Sequence, residues 1–173
     1  MLEIKEAKIS DAKELLDIYD YYVKNTAITF ELVTPSLFEF KKRIKNISLN
    51  YPYIILKDDG KIVGYAYSNV FKGREAYKYS TEVTIYLDHN LKGKGYGKIL
   101  YNELEKRLKE KDIKNLYACI ASPIKIDKYL NNNSEEFHNH MGYKRIGLFT
   151  QCGYKFNTWY NMIWMEKMIG EHN

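Results

Sequence analysis

The chain is poor in proline and cysteine and has no long apolar run. Its three prolines, Pro35, Pro52 and Pro123, are scattered and make no proline-rich linker. Its two cysteines, Cys119 and Cys152, are too few for a disulfide framework and lack metal-ligand spacing. They read as ordinary thiols of a reducing compartment. No apolar stretch reaches the length of a membrane-crossing helix, and the opening MLEIKEAKIS has no signal-peptide core. We therefore expect a cytoplasmic protein with no membrane partner. There is also no block of one charge. The net charge of +5 is spread along the chain with Asp and Glu interleaved, which argues against a nucleic-acid partner. The same sign of charge suits a multiply phosphorylated small ligand.

What is present describes a folded protein. With 45% hydrophobic and 28% charged residues, the chain is neither disordered nor fibrous. Its 173 residues suffice for one domain with a substantial core, and we expect residues 1–173 to form one domain. The seventeen tyrosines look like a compositional bias and carry no functional signal.

Periodicity gives the order of elements. Leu2–Ala7 alternates as a strand. Ser10 is placed to cap a helix from Asp11 to about Lys24, with Ala12, Leu15, Leu16, Tyr19 and Val23 on one face. Ser36 caps a second helix with Leu37, Phe38, Phe40, Ile44 and Ile47 inward. A hairpin follows, Tyr53–Lys57 and Lys61–Phe71 about the turn Asp58-Asp59-Gly60. After the polar Lys72–Tyr77 comes a strand containing Glu82, then a helix to about Glu110, and the strand Lys114–Ser122. Ile124–Asn133 reads as a loop, with a short helix from near Ser134 to Gly142. Two last strands lie around Tyr143–Thr150 and Phe156–Met165, with Gly153 between them. The order β-α-α-β-β-β-α-β-α-β-β predicts a mixed α/β domain.

The most informative stretch is Glu82–Leu100, EVTIYLDHNLKGKGYGKIL: an alternating strand, a loop with Gly93, Gly95 and Gly97, and the start of a helix. Such a junction points free backbone N–H groups and the positive end of a helix dipole at one spot, a device for binding phosphate. A nucleotide P-loop needs four residues before its Gly-Lys pair, whereas Gly93 to Gly97-Lys98 leaves three and no Ser or Thr follows. A dinucleotide fingerprint needs G-x-G-x-x-G, and Gly93-x-Gly95-x-Gly97 has the wrong last interval. Taken alone, the letters also fit a glycine-rich surface turn.

The remaining pattern, Lys92-x-x-Gly95-x-Gly97, resembles the pyrophosphate loop of the GNAT superfamily of acyl-CoA N-acyltransferases, with Lys92 where Arg or Gln is usual. The resemblance extends to the phosphinothricin N-acetyltransferase branch over nearly the whole chain. It is carried by IYDYYVKNTAITF (Ile18–Phe30), GKIVGYAY (Gly60–Tyr67), FKGREAYKYSTEVTIYL (Phe71–Leu87), LKGKGYGKILY (Leu91–Tyr101), SEEFHNHMGY (Ser134–Tyr143) and GYKFNTWYN (Gly153–Asn161). It implies a mostly antiparallel mixed sheet of about seven strands flanked by helices. It also implies acetyl-CoA as cosubstrate, no metal, and a homodimer.

By the same resemblance, backbone groups of Ile85, Tyr86 and Leu87 would pair with the pantetheine arm. The amides of Lys92, Gly93, Lys94, Gly95, Tyr96, Gly97 and Lys98 would hold the pyrophosphate. Asn131 matches a cofactor-contacting asparagine, but an insertion at Ile124–Leu130 leaves Asn132 and Asn133 as alternatives. Glu82 matches the glutamate that takes a proton from the acceptor amine, a task a primary amine with pKa ~10 requires. Without the resemblance it would be an ordinary strand carboxylate. His138 matches a histidine that orients the base, stabilises the tetrahedral intermediate or protonates the CoA thiolate. The pair His138-x-His140 does not suggest a metal, since residues two apart face different ways on a helix. Phe30, Lys72, Arg74 and Tyr77 match the acceptor site, where Arg74 can pair with a carboxylate. Two positions depart from the family: Asn161 replaces the usual Asp, and Asn139 stands where Glu is frequent. The implied reaction is acetyl transfer to the primary amine of phosphinothricin, methionine sulfoximine or sulfone, or a related amino acid. The alternatives are acetylation of protein N-termini or lysines, and a non-catalytic acyl-CoA-binding protein.

Overall fold

Strand β1 (Leu2–Glu6) is followed by helices α1 (Ala12–Asn25) and α2 (Leu37–Ser48), then by the hairpin β2 (Tyr53–Asp58) and β3 (Lys61–Val70). Next come β4 (Ser80–Leu87), α3 (Tyr96–Glu110), β5 (Asn115–Ser122) and α4 (Asn133–His140). The hairpin β6 (Lys144–Lys155) and β7 (Thr158–Met168) ends the series. The computed structural model describes residues 1–172. The order is the one expected from periodicity.

The strands form one seven-stranded sheet in the order β1-β2-β3-β4-β5-β7-β6. Every neighbouring pair is antiparallel except β4 and β5. This is the mixed, mostly antiparallel sheet that the resemblance implies. Helices cover it on both sides. On one face, Leu100, Leu104 and Leu108 of α3 pack on Val83, Leu116, Ala118 and Ile163. On the other, Leu15, Tyr19 and Val23 of α1 and Phe40 and Ile44 of α2 pack on Tyr53, Ile55 and Tyr65. Each fully buried aliphatic side chain contributes about 1.5–3 kcal/mol.

Local chemistry explains the boundaries. Ser36 Oγ accepts the Glu39 N–H at 3.1 Å and starts α2. Asp59 and Gly60 both have positive φ, 46° and 81°, which makes the tight hairpin turn between β2 and β3.

Three expectations are corrected. Ser10 does not cap α1: it lies in a 3-10 turn over Ile9–Asp11, and the Asp11 carboxylate accepts the Lys8 N–H at 2.8 Å. Phe38 is not inward but 79% exposed, because Phe40 and Ile44 already fill the inner face of α2. The last hairpin turns at Phe156-Asn157, whose φ values are 52° and 55°, and not at Gly153. Gly153 lies within β6, where a Cβ would come within 2.4 Å of the Phe30 ring. Close packing, rather than a turn, requires glycine there.

Candidate active site

The sheet opens where its one parallel pairing fails. Strands β4 and β5 pair only at Ser80–Asn115, Thr81–Leu116 and Glu82–Tyr117. Beyond Glu82, β4 stays with β3 as far as Leu87–Gly64, and β5 stays with β7 as far as Ser122–Asn161. The two longer antiparallel ladders outweigh the shorter parallel one, which is weaker per residue. A wedge results, with Glu82 at its apex. It encloses a cavity of about 60 Å³ bounded by Val83–Tyr86, Ala118–Ala121, Ile28, Tyr101, Ser134 and His138. From Val83 to Leu87, the β5-facing backbone of β4 has no strand partner, a free edge that an extended ligand can pair with. One group there is already occupied: the Leu87 carbonyl accepts the Tyr22 hydroxyl at 2.6 Å.

Beyond the end of β4, the glycine loop leads into α3. Gly93 and Gly95 have φ of 77° and 76° with open space where a Cβ would stand, so backbone conformation alone requires glycine. Gly97 differs, since a Cβ there would meet the Phe137 ring of α4 at 2.9 Å, so the ring's close approach to α3 requires glycine. The first-turn amides of Tyr96, Gly97 and Lys98 have no intrahelical acceptor. Glu14, Glu39 and Glu135 stand in the first turns of α1, α2 and α4, but α3 has no acid there. Lys92, Lys94 and Lys98 are exposed around it. This end of α3 is built for an anion. The Tyr96 side chain points away, its hydroxyl donating to Asp58 Oδ2 at 2.6 Å, so Tyr96 offers the cradle only its backbone.

Glu82 is half-buried and forms no ion pair among the described residues. Burial raises its pKa, and the Lys72 charge acts against the rise. Lys72 Nζ lies 5.3 Å from the Phe71 ring centre and 6.0 Å from that of Trp164. Phe71 stacks on Tyr117 at 4.3 Å, and Tyr77 meets its edge at 5.8 Å. Lys72 and Tyr77 therefore share one aromatic platform on the side of Glu82. Arg74 is exposed in the same connection and takes part in no ion pair among the described residues. Phe30 stands apart from them, over Gly153 and 6.4 Å from the Tyr160 ring centre.

His138 is 4% exposed, with Nδ1 at 2.7 Å from the Ser134 carbonyl and Nε2 at 2.9 Å from the Tyr101 hydroxyl. A carbonyl can only accept, so Nδ1 carries the proton and Nε2 accepts from Tyr101. Burial lowers the His138 pKa to about 4, the Ser134 carbonyl opposing the shift. At neutral pH the ring is uncharged and both nitrogens are engaged. Tyr101 also lines the cavity, and sequence reasoning passed over it. Its signal was a single polar aromatic, one turn after Gly97, beside the apolar row Leu100, Leu104, Leu108.

Asn131 lies outside the cavity wall. It is exposed, and its Oδ1 accepts the Asn133 N–H at 3.0 Å to shape the entry to α4. Asn161, the departure from the usual Asp, accepts the Gln151 N–H at 2.8 Å and holds the bulge in β6. Cys119 lines the cavity near Glu82, and burial, reinforced by Glu82, pushes its thiol up to about 12.

Residues 4–164 match the acetyltransferase (GNAT) domain family. The phosphinothricin N-acetyltransferase of Streptomyces viridochromogenes is 27% identical over 161 residues, covering 93% of this chain and 84% of that protein. A crystal structure of a GNAT superfamily phosphinothricin acetyltransferase from Sinorhizobium meliloti, in complex with acetyl-CoA, superimposes with a TM-score of 0.88 at 30% identity. It covers 98% of this chain and 89% of the other. The ribosomal-protein-alanine N-acetyltransferase of Brucella melitensis gives a TM-score of 0.87 at 27% identity, covering 96% and 99%. The chain belongs to the GNAT family of acetyltransferases, within its phosphinothricin N-acetyltransferase-like branch.

Proposed function

We propose that this protein transfers the acetyl group of acetyl-CoA to the primary amine of a small amino-acid-like acceptor, such as phosphinothricin or methionine sulfoximine. The observation that carries the reading is the wedge. It opens at Glu82, between an anion cradle and a carboxylate whose burial favours taking up a proton.

The residues fit acetyl-CoA. The amides from Lys92 to Lys98, with the exposed lysines, would hold its pyrophosphate. The free backbone of Ile85 and the N–H of Leu87 would meet the pantetheine arm, whereas the Tyr86 backbone is turned to Tyr65 of β3. The Leu87 carbonyl is spent on Tyr22. Asn131, or Asn132 or Asn133 after it, would reach the arm from the α4 side. Acetyl-CoA supplies the activated acetyl thioester.

Glu82 accepts the proton that the acceptor amine must lose before its nitrogen bonds to the thioester carbonyl carbon, directly or through one water. As the C–S bond breaks, the sulfur leaves as the CoA thiolate, which takes its proton from solvent. Burial raises the Tyr101 pKa, so its hydroxyl stays protonated and holds His138 Nε2 in the cavity wall. Direct transfer is favoured over an acetyl-cysteine, because a thiol at about 12 leaves Cys119 with almost no thiolate at neutral pH. Lys72, Arg74, Tyr77 and Phe30 would receive the acceptor, with a cation for its carboxylate and aromatic surface for its side chain.

We read residues 1–173 as one domain. We also read the protein as a homodimer, since the outer strand β6 exposes Ile146, Leu148 and Phe149 along a free edge. Sedimentation of a monomer at micromolar concentration would contradict this.

The likeness to the Brucella ribosomal-protein-alanine enzyme favours a second reading, a protein N-terminus as acceptor. A panel of free amino acids and N-terminal peptides, assayed by thiol release from acetyl-CoA, separates the two. We expect release with amino acids. Stabilisation by acetyl-CoA without release for any acceptor would instead indicate a non-catalytic binding protein.

A further inference from the structure

Residues 26–31, the first part of the connection from α1 to α2, bring Ile28 to the cavity wall and set Phe30 over β6. A bare loop of this kind costs about 1–2 kcal/mol per residue to order, yet it is tied down at several points. Lys155, 4% exposed, donates from Nζ to the carbonyls of Thr29 at 2.9 Å and Glu31 at 2.8 Å. The Tyr19 hydroxyl bonds Thr29 Oγ1 at 2.8 Å and also the Glu31 carboxylate, which forms a two-pronged pair with Arg43.

The remaining tie comes from the insertion. The Ala27 N–H donates to the Tyr129 carbonyl at 3.0 Å. Asp127 holds Tyr129 in place, since its Oδ1 accepts the amides of Tyr129 and Leu130 at 2.7 and 2.8 Å. Its Oδ2 accepts the Tyr160 hydroxyl at 2.7 Å, anchoring the insertion to β7. The Tyr129 ring lies flat on Phe156 at the β6–β7 turn, 4.0 Å away. Ala27, Leu130 and Tyr160 close into a buried cluster, against which Phe30 and the cavity-lining Ala121 pack.

We propose that the 124–130 insertion is a specificity element for the acceptor: pinned by Asp127, it fixes the 26–31 loop and so sets the cavity wall at Ile28 that selects among acceptor side chains. This rests on the acetyl-transfer reading above. Asp127 acts through the loop and is a positioning residue. It controls acceptor recognition, while the pyrophosphate cradle, built from the loop between β4 and α3, is independent of it.

The test uses the full chain with Asp127→Ala and with the milder Tyr160→Phe, which removes one hydrogen bond and keeps the ring in the core. Hydrogen exchange at the Ala27 amide should speed up by about tenfold or more in Asp127→Ala, with Leu104 in α3 unchanged. The acceptor KM should rise by about tenfold, less in Tyr160→Phe, with the acetyl-CoA KM unmoved. Asp127→Asn should restore part of both. Retained protection at Ala27, or two KM values rising together, overturns the proposal. A wild-type protein that acetylates no amino acid would instead contradict the acetyl-transfer reading, and the exchange result, which needs no turnover, would still decide whether Asp127 holds the loop.

Discussion

Tyr101 and His138, 37 positions apart in the chain, meet in the cavity wall with Oη and Nε2 separated by 2.9 Å. The Ser134 carbonyl on the far side of the imidazole fixes its tautomer. In this pair the histidine accepts and the tyrosine donates, both side chains line the cavity, and neither ring nitrogen is left free to act as an acid.

Tyr101→Phe should therefore leave the buried His138 Nε2 without its donor and lower stability by about 1–3 kcal/mol, with the acetyl-CoA KM within about twofold. Urea unfolding and steady-state kinetics check this. Unchanged stability would mean that His138 Nε2 does not depend on Tyr101.

The buried imidazole also has a consequence for stability. His138 titrates near 4 in the fold and near 6.5 when unfolded. Between those values the unfolded chain binds more protons, so stability is lost as pH falls through the window, by up to about 3 kcal/mol from this residue. Urea unfolding across the window should show a flatter pH dependence in His138→Gln than in the wild type. Equal slopes would mean that the imidazole is charged in the fold.

Lys72 is the charge that offsets the effect of burial on Glu82. Replacing it with Met removes a cation, raises the Glu82 pKa further, and protonates the base at a higher pH. The acid limb of the kcat/KM profile of Lys72→Met should move towards neutral pH. An unmoved limb would place Lys72 too far from the base to matter.

The two cysteines report on the cleft. Cys119 lines it with a thiol at about 12, so its labelling by a disulfide reagent should be slow near neutrality and accelerate with pH. Both thiols are exposed, Cys119 within the cleft and Cys152 outside it, so saturating CoA should slow labelling of Cys119 and leave Cys152 unaffected. Mass spectrometry of the labelled peptides distinguishes them. Equal labelling of Cys119 with and without CoA would put the cofactor elsewhere.

Much of this was legible from local signals. Glu82–Leu100 read as strand, glycine loop and helix because period-two alternation and closely spaced glycines are short-range features, and the element order followed from the same kind of signal. What escaped depended on distant partners. Gly153 looked like a turn because glycine is the usual residue at positive φ, whereas the turn fell to Phe156-Asn157 and Gly153 was needed beneath Phe30. Tyr101 was given no role, because its hydroxyl acquires meaning only against His138. Ile124–Leu130 looked like unstructured polar sequence, because the bonds of Asp127 to Tyr160 and of Tyr129 to Ala27 cross long stretches of chain. The splay of β4 from β5 is a competition among three ladders that a single stretch of sequence does not display.

The most direct test is the rate of thiol release from acetyl-CoA with phosphinothricin or methionine sulfoximine as acceptor, compared between wild type and Glu82→Gln. The account predicts release that requires the acceptor and falls by about 10²–10⁴-fold in the variant near neutral pH. Full activity of Glu82→Gln across the pH range, or release that ignores the acceptor, would contradict it.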